Sequence, residues 1–296
     1  MCIDNFIIIV YCTVCEYFKK HNEFKSVRKR GFKPRLSDEE VITIEIVGEF
    51  LQIDTDKGIW QYFGQQWKDW FPNIGSRTTF VRQSANLWKI KELIQSDLAE
   101  NLGSISDSVH SVDGFPIQLC NFRRAKFSRL FKGFASYGFC ASKNITYYGF
   151  KGHLVINFDG VITSWTISPA NSSERECVYE LVKKIHGLLL GDKGYISPEL
   201  EEELRRIGIN LQTPKRKNME DKRDPQFVSM LMNVRRLIET VIGQLSERFH
   251  IEKIRARDMW HLTNRINRKI LSHTVACFIC RRFGVKTLQF EKLIVS

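Results

Sequence analysis

The sequence lacks a hydrophobic run long enough to cross a membrane. Its longest apolar stretch near the start, residues 6–14, is well short of the roughly 20 residues that a bilayer span requires. No basic segment leads into this stretch and no small-residue cleavage site follows it, so we expect no signal peptide. These absences predict a protein of the cytoplasm with no membrane partner.

Cysteine is also sparse, with 8 residues in a chain of 296. This number excludes a small disulfide-rich scaffold. Cys12 with Cys15 and Cys277 with Cys280 have the spacing of zinc ligands, but both pairs lie in apolar, helix-like stretches without the glycine-rich turns that such sites usually contain. We therefore predict buried free thiols rather than a zinc site.

Acidic residues are outnumbered by basic ones, since 33 Asp and Glu face 45 Lys and Arg and the net charge is +12. The excess favours a polyanionic partner such as a nucleic acid over an acidic protein or a neutral metabolite. Charge alone does not distinguish DNA from RNA or from an anionic membrane. With 43% hydrophobic and 12% aromatic residues, the chain has enough apolar material for about two folded domains.

The first 104 residues are predicted to be helical. Ser37-Asp38-Glu39-Glu40 is a capping box, and the apolar residues from Val41 to Leu51 continue it as a helix. A further helical stretch is predicted over residues 78–102. Whether these helices include a helix-turn-helix stays open, because the sequence contains no clear turn of that kind.

From Ser108 onward the sequence alternates between strand and helix patterns. Strands are predicted first, and Asp159-Gly160 is a typical two-residue turn between the last two of them. The order predicts an α/β domain whose mixed sheet has an antiparallel hairpin on one side and helices on its faces. The predicted strands are 111–120, 147–157, 161–167, 187–190 and 209–213, and the predicted helices are 174–186, 198–207 and 226–249.

Three carboxylates in this domain are candidates for chemistry. Asp113 lies inside the first strand among apolar residues, where an unpaired acid is energetically costly. Asp192 follows a short apolar strand and stands between Gly191 and Gly194, at the strand end where α/β sheets place ligands. Glu239 flanks the apolar stripe of the last helix, one turn after Arg235.

Three acidic oxygen donors that converge from two strands and a helix suit Mg²⁺ or Mn²⁺. Two such ions about 3.5 to 4 Å apart can activate an attacking oxygen and stabilise a leaving oxygen at phosphorus. The structural alternative is a capping Asp, a buried hydrogen-bonded Asp and a surface Glu. The residue pattern alone leaves both interpretations open.

Four blocks in this order resemble the catalytic blocks of bacterial insertion-sequence transposases with an Asp-Asp-Glu active site, most of all the insertion-sequence nine-eighty-two group. The resemblance covers nearly the whole chain, because Pro34-Arg35-Leu36-Ser37 and Lys132-Gly133 also match. The four blocks are Ser111-Val112-Asp113-Gly114-Phe115-Pro116, Tyr148-Gly149-Phe150-Lys151-Gly152-His153-Leu154-Val155-Ile156-Asn157, Gly191-Asp192-Lys193-Gly194-Tyr195-Ile196 and Ile238-Glu239-Thr240-Val241-Ile242-Gly243-Gln244-Leu245.

This resemblance implies a fold class, a division of the chain and a metal site. It implies a ribonuclease-H-like catalytic domain over 105–255, preceded by an all-helical DNA-binding region over 1–104 and followed by a helical tail over 256–296. It implies that Asp113, Asp192 and Glu239 are catalytic and bind metal, with two Mg²⁺ or Mn²⁺ ions as cofactors. Many related transposases have a Tyr, Arg, Glu and Lys signature on the last helix, where Met232 and Ser246 replace the Tyr and the Lys here.

The implied reaction is metal-dependent hydrolytic nicking at the ends of an insertion element, followed by strand transfer of the 3′-hydroxyl into target DNA. The implied partners are duplex DNA, as terminal inverted repeats and as target, and further copies of the chain in a synaptic complex. The implied location is the cytoplasm, at the nucleoid when DNA is bound. The alternatives are a nuclease of the same fold without strand transfer and a non-catalytic DNA-binding descendant of a transposase.

Two basic segments are predicted to contact DNA. One interleaves basic residues with Phe122, Phe127 and Phe131, a composition that suits phosphate contact with base stacking. Its alternative is a solvated loop whose aromatic residues pack inward. The predicted DNA-binding residues are Arg123, Arg124, Lys126, Arg129 and Lys132 in this segment, Lys215, Arg216 and Lys217 in the second, and Lys151, Lys193 and Arg235 around the carboxylates.

Overall fold

The structure, a computed structural model, describes residues 1–21, 34–215 and 220–294. In this part of the chain the helices are α1 (Ile3–Lys20), α2 (Asp38–Phe50), α3 (Asp56–Gln66), α4 (Arg77–Asn86), α5 (Trp88–Asn101), α6 (Phe122–Ala125), α7 (Glu174–Leu181), α8 (Pro198–Arg206), α9 (Pro225–Glu247) and α10 (Met259–Arg282). The strands are β1 (Val109–Asn121), β2 (Ser136–Cys140), β3 (Ile145–Asn157), β4 (Ile162–Pro169), β5 (Gly187–Leu190) and β6 (Ile209–Gln212). No helix among these combines the length and apolar character that a membrane span needs.

The chain divides into two compact units. One, the helical unit, consists of Met1–Leu98 together with Glu247–Ser296, and the other, the sheet unit, is Ala99–Ser246. Within the helical unit α10 packs against α2 and α4. The sequence analysis places 256–296 in a tail of its own, whereas these contacts join that segment to the N-terminal helices, because α10 carries apolar residues such as Ile266 and Ile270 that are buried by them.

Local sequence signals explain where the helices of the helical unit begin. The Ser37 hydroxyl accepts a hydrogen bond from the Glu40 amide at 3.1 Å and the Glu40 carboxylate accepts one from the Ser37 amide at 2.6 Å, so the predicted capping box is confirmed. The stretch predicted as one helix over 78–102 is two helices, α4 and α5. It breaks at Leu87, whose amide bonds to the Ser84 carbonyl in a tightened turn.

A network of buried charges holds α2, the start of α3 and α10 together. The Arg268 guanidinium, 1% exposed, donates to Glu49 at 2.6 Å, to Glu45 at 3.1 Å and to Asp56 at 2.7 Å. Lys269 pairs with the second oxygen of Glu49 at 2.7 Å. Although burial opposes its charge, the three carboxylates raise the pKa of Arg268 well above its usual range, so the pairing is ionic.

Lys91 and Arg265 complete this buried network. Lys91 is fully buried and pairs with Glu45, and it also donates to the Asn264 side-chain oxygen at 2.7 Å. Arg265 pairs with Asp56. Four cations therefore surround three carboxylates, and each member comes within ion-pair distance of an opposite charge.

The sheet unit contains one mixed sheet with the strand order β2-β3-β1-β5-β6, and β4 also pairs with β3. β1 pairs antiparallel with β3, and β3 pairs antiparallel with β4 and with β2. β1, β5 and β6 are parallel neighbours. The predicted α/β fold class, a ribonuclease-H-like mixed sheet flanked by helices, is confirmed.

Helices cover both faces of this sheet. Because successive strand residues point to opposite faces, neighbouring residues of β5 enter different clusters. Leu189 packs with residues of α7 and α8, including Val178 and Leu204. Leu190 packs on the other face with Leu231 and Val234 of α9. The predicted apolar stripe of the long helix is thereby confirmed as its buried face.

Candidate active site

The strand register brings Asp113 and Asp192 together beside the carboxyl end of β5. Ser111 of β1 pairs with Leu190 of β5 in a parallel arrangement. Asp113 and Asp192 each lie two residues further along, so they extend from adjacent strands whose backbones are about 4.8 Å apart. The structure therefore places these two predicted site residues side by side, for the reason that the sequence suggested.

Both aspartates line one cavity of the sheet unit. Its volume is about 290 Å³. Lys215, Arg223 and Arg235 also line it, as does Asp221, which pairs with Arg223 at 2.7 Å, so the cavity combines three carboxylates with three cationic side chains. Such a combination suits a phosphate group that approaches with its own counter-cation.

Asp113 is held in a position where its negative charge is poorly stabilised. Burial raises the pKa of its carboxyl to about 7, and the carboxylates of Asp192 and Glu174 add to this rise. The Gly114 amide, which donates to the Asp113 carboxylate at 2.7 Å, and the charge of Arg235 act in the opposite direction. A second positive charge at this point would neutralise the repulsion among the acids.

Asp192 is fixed by the turn that follows β5. Its side chain accepts a hydrogen bond from the Gly194 amide at 2.7 Å and so caps a short 3₁₀ turn. A Cβ atom at Gly191 would come within 2.9 Å of the Tyr195 ring, and one at Gly194 within 2.9 Å of the Asp192 carboxylate. A larger residue at either position would therefore collide with the turn or with its neighbouring carboxylates.

Glu174 is a site carboxylate that the sequence analysis missed. A Cβ atom at Gly194 would lie 2.5 Å from one of its oxygens, and one at Gly114 would lie 3.5 Å from the other. The same carboxylate pairs with Lys151 at 3.2 Å. One signal could have found it: β4 is antiparallel to β3, which is antiparallel to β1, so β4 ends at the same sheet edge as β1, and Glu174 follows β4.

Glu239 lies on α9 outside the residues that line the cavity. Its side chain is 56% exposed and pairs with Arg235 at 3.4 Å, the pairing expected from their one-turn spacing. Arg235 also faces the cavity and acts on the charge of Asp113. The structure thus brings Asp113, Asp192 and Arg235 together and leaves Glu239 on the outer side of Arg235.

Most of the predicted DNA-binding residues are exposed, whereas Lys151 and Arg235 are partly buried. Phe122 is 49% and Phe127 is 86% exposed, whereas Phe131 is buried, so the inward-packing alternative holds for one of the three aromatic residues. Arg216 and Lys217 lie outside the described residues. The exposed predicted residues are Arg123, Arg124, Lys126, Arg129, Lys132, Lys193 and Lys215.

The donor set fits a hard divalent cation. Among the described residues no three His, Cys, Asp or Glu side chains converge closely enough to enclose a metal alone. Mg²⁺, however, is commonly held by one or two carboxylates together with water and substrate phosphate. Asp113 and Asp192 supply two such carboxylates, and the buried Tyr195 hydroxyl beside them has no hydrogen-bond partner within the described part of the chain.

The fold and the site define a class of protein: a ribonuclease-H-like domain with paired carboxylates at one edge of its sheet. Residues 103–259 match the family described as transposase DDE domain, which is more than half of the chain, and the chain belongs to this family. No curated protein matches the chain.

One solved structure similar to the chain is a piggyBac transposase synaptic complex with hairpin DNA, determined by cryo-electron microscopy. The two chains are 11% identical with a TM-score of 0.52, and the match covers 98% of this chain and 78% of that one. At this identity the similarity concerns the fold.

Proposed function

We propose that the protein is a bacterial insertion-sequence transposase of the nine-eighty-two group that nicks DNA at element ends and transfers the freed strand into target DNA. The proposal is carried by one observation: Asp113 and Asp192 extend from adjacent parallel strands into a cavity that also contains cationic side chains. Membership in the transposase DDE domain family supports it.

In this proposal Asp113, Asp192 and Glu239 hold two Mg²⁺ or Mn²⁺ ions. Such ions, when bound, supply Lewis-acid activation of the attacking oxygen and stabilise the leaving oxygen. Asp113 and Asp192 present carboxylate oxygens to the cavity, while Arg235 restrains Glu239 and faces the phosphate position. Lys215 lines the same cavity and contributes positive charge toward the phosphodiester, whereas the charge of Arg223 is paired with Asp221 at 2.7 Å.

The proposed chemistry has two balanced displacements at phosphorus. In the first, a water oxygen forms a bond to phosphorus, the bond to the 3′ oxygen breaks, and that oxygen takes up a proton to become a free 3′-hydroxyl. In the second, this hydroxyl bonds to a target phosphorus and gives up its proton, while the bond to the target's bridging 3′ oxygen breaks and that oxygen takes up a proton. Because water is the nucleophile of the first step and the DNA's own 3′-hydroxyl is that of the second, the protein needs no covalent intermediate.

The proposed partners are duplex DNA and further copies of this chain. The exposed basic segment with Phe122 and Phe127 suits phosphate contact and stacking on an unpaired base. The structural neighbour is a synaptic complex with DNA, and by analogy we propose that this chain also assembles on two element ends.

The test is cleavage of a labelled duplex that carries the element's own ends, with Mg²⁺ or with chelator, by the wild type and by Asp192→Asn. We expect metal-dependent nicking at the element boundary that the substitution abolishes. Joined products with a second duplex distinguish a transposase from a nuclease of the same fold. Equal activity in Asp192→Asn would contradict the site assignment, and binding without cleavage would indicate a non-catalytic protein.

A further inference from the structure

A second cavity lies entirely within the helical unit and is larger than the first. Its volume is about 650 Å³. The beginnings of three helices border it: Thr55 caps α3, Arg77 is the first residue of α4, and Asp258 caps α10. Residues from distant parts of the sequence thus form one concave surface.

The walls of this cavity carry an excess of unneutralised positive charge. Five basic side chains that line it are exposed, and within the described residues none of them has an ion-pair partner. Two of the acidic residues in the wall are already engaged, Asp56 by Arg265 and Asp258 by His261. The five basic residues are Lys57, Arg77, Arg82, Arg255 and Arg257.

The helix directions add to this charge. Each helix beginning carries a partial positive charge, and three of them border the same space. A concave surface lined by one sign of charge concentrates the field and favours a multiply charged anion. The lining contains no Phe, Tyr, Trp, Asn or Gln side chain, and the imidazole of His261 is paired with Asp258, so the cavity is better suited to phosphate than to base stacking or to adenine recognition.

We propose that this cavity binds the phosphate backbone of duplex DNA, independently of base sequence. The inference rests on the proposed function, to which it adds a binding surface made by α3, α4 and residues 255–258 together. Arg255 and Arg257 contact successive phosphates in this arrangement, and the unit that contains both ends of the described chain is a DNA-binding unit as a whole.

The experiment measures anisotropy of labelled duplexes, one with the element end and one with a scrambled sequence, bound by the full chain in chelator over a series of salt concentrations. The test variant is Arg255→Glu with Arg257→Glu. The matched control is Arg282→Glu with Lys286→Glu, two exposed residues of the same unit outside the cavity. Arg255→Gln with Arg257→Gln is the milder variant, and melting by circular dichroism checks folding of all of them.

We expect the test variant to bind both duplexes at least about tenfold more weakly, with a salt dependence shallower by about two phosphate contacts. The control changes affinity less than about threefold, because solvent screens distant charges. Equal losses in test and control variants would overturn the cavity assignment, and so would a loss confined to one duplex sequence.

The two proposals fail separately. If the wild type cleaves element ends and the test variant binds DNA as well as the wild type does, the proposed function stands and the cavity proposal is wrong. If DNA binding is tight and depends on the cavity but no metal-dependent cleavage occurs, the cavity proposal stands and the catalytic proposal is contradicted. Failure of the wild type to bind either duplex at low salt overturns both.

Discussion

The two units of the molecule treat buried charge in opposite ways. In the helical unit, Arg268 lies among Glu45, Glu49 and Asp56, and every one of these charges meets an opposite one. In the sheet unit, Asp113 has no ion pair among the described residues and faces other carboxylates instead. The charges of the first arrangement neutralise one another, whereas the carboxylates of the second are neutralised by binding a cation.

This difference separates a structural role of charge from a binding role. A buried charge whose partners lie within the fold determines how the elements pack. Removing one partner leaves the other charges unpaired in an interior of low dielectric constant, which destabilises the folded state. Asp113, a buried acid beside two other carboxylates, has the raised pKa that is typical of functional sites. Substitutions in the two units are therefore expected to change stability in opposite directions.

The largest effect is expected for Arg268→Met. The substitution preserves much of the side-chain volume but leaves three buried carboxylates without their shared cation, so the free energy of unfolding should fall by about 3 to 5 kcal/mol. Urea unfolding followed by circular dichroism measures this change. Arg282→Met, at the exposed end of the same helix, is the control and should stay within about 0.5 kcal/mol. Equal effects of the two substitutions would show that the network is unimportant.

In the metal-free protein Asp113→Asn is expected to raise the free energy of unfolding, the opposite of the effect of Arg268→Met. The folded pKa of Asp113 is raised to about 7, above the 3.8 of an unperturbed Asp, so its ionisation destabilises the folded state as the pH rises toward 7. The variant should therefore gain about 2 to 3 kcal/mol relative to wild type between pH 5 and pH 8. Unfolding in chelator at both pH values measures this gain, and a difference that is independent of pH would contradict it.

A smaller effect, on metal binding and cleavage, is expected to distinguish the role of Glu174 from that of Glu239. Because Glu174 lies against Gly114 and Gly194, we expect Glu174→Gln to weaken Mn²⁺ binding about tenfold in calorimetry and to keep cleavage that returns at high Mn²⁺. Glu239→Gln should abolish cleavage at every Mn²⁺ concentration, as proposed for a ligand. Glu180→Gln, on the exposed side of α7, is the control. If Glu239→Gln kept full cleavage activity and Glu174→Gln lost it, Glu174 rather than Glu239 would be the metal ligand.

The smallest effect is expected for an exposed ion pair of the sheet unit. Arg205 pairs with Glu202 at 2.8 Å on α8, with side chains 70% and 49% exposed. Arg205→Ala should change the free energy of unfolding by no more than about 0.5 kcal/mol, because water already solvates both charges. Thermal unfolding at low and high salt tests this, and a loss above about 1 kcal/mol would show that exposure is a poor guide to the strength of these pairs.

The hydrophobic periodicity of the sequence was sufficient to predict most strands and helices of the sheet unit. Strands with apolar alternation or short apolar runs, such as β3 and β5, and the stripe of α9 are placed as predicted. β2 was not predicted. Its two aromatic residues, Tyr137 and Phe139, lie on one exposed face, so the strand is held by its backbone pairing with β3 rather than by burial of an apolar face.

The site was predictable only where it depends on local position. Asp113 lies within β1 and Asp192 just after β5, and the parallel pairing of these two strands is enough to bring the two residues together. Glu174 reaches them only because β4 and β1 run in the same direction, which depends on two long-range pairings. The buried partners of Arg268 were equally hidden, since Glu45 and Glu49 read locally as ordinary polar residues of a helix.

The buried network also dictates an order of events during synthesis. Asp56 and Arg268 are separated by 212 residues, which at about 5 to 20 residues per second corresponds to a delay of roughly 10 to 40 s on the ribosome. During this interval Glu45 already has Lys91 as a partner, whereas Glu49 and Asp56 lack the cations of α10, and the whole of the sheet unit is synthesised. The charge network of the region translated first is thus completed last.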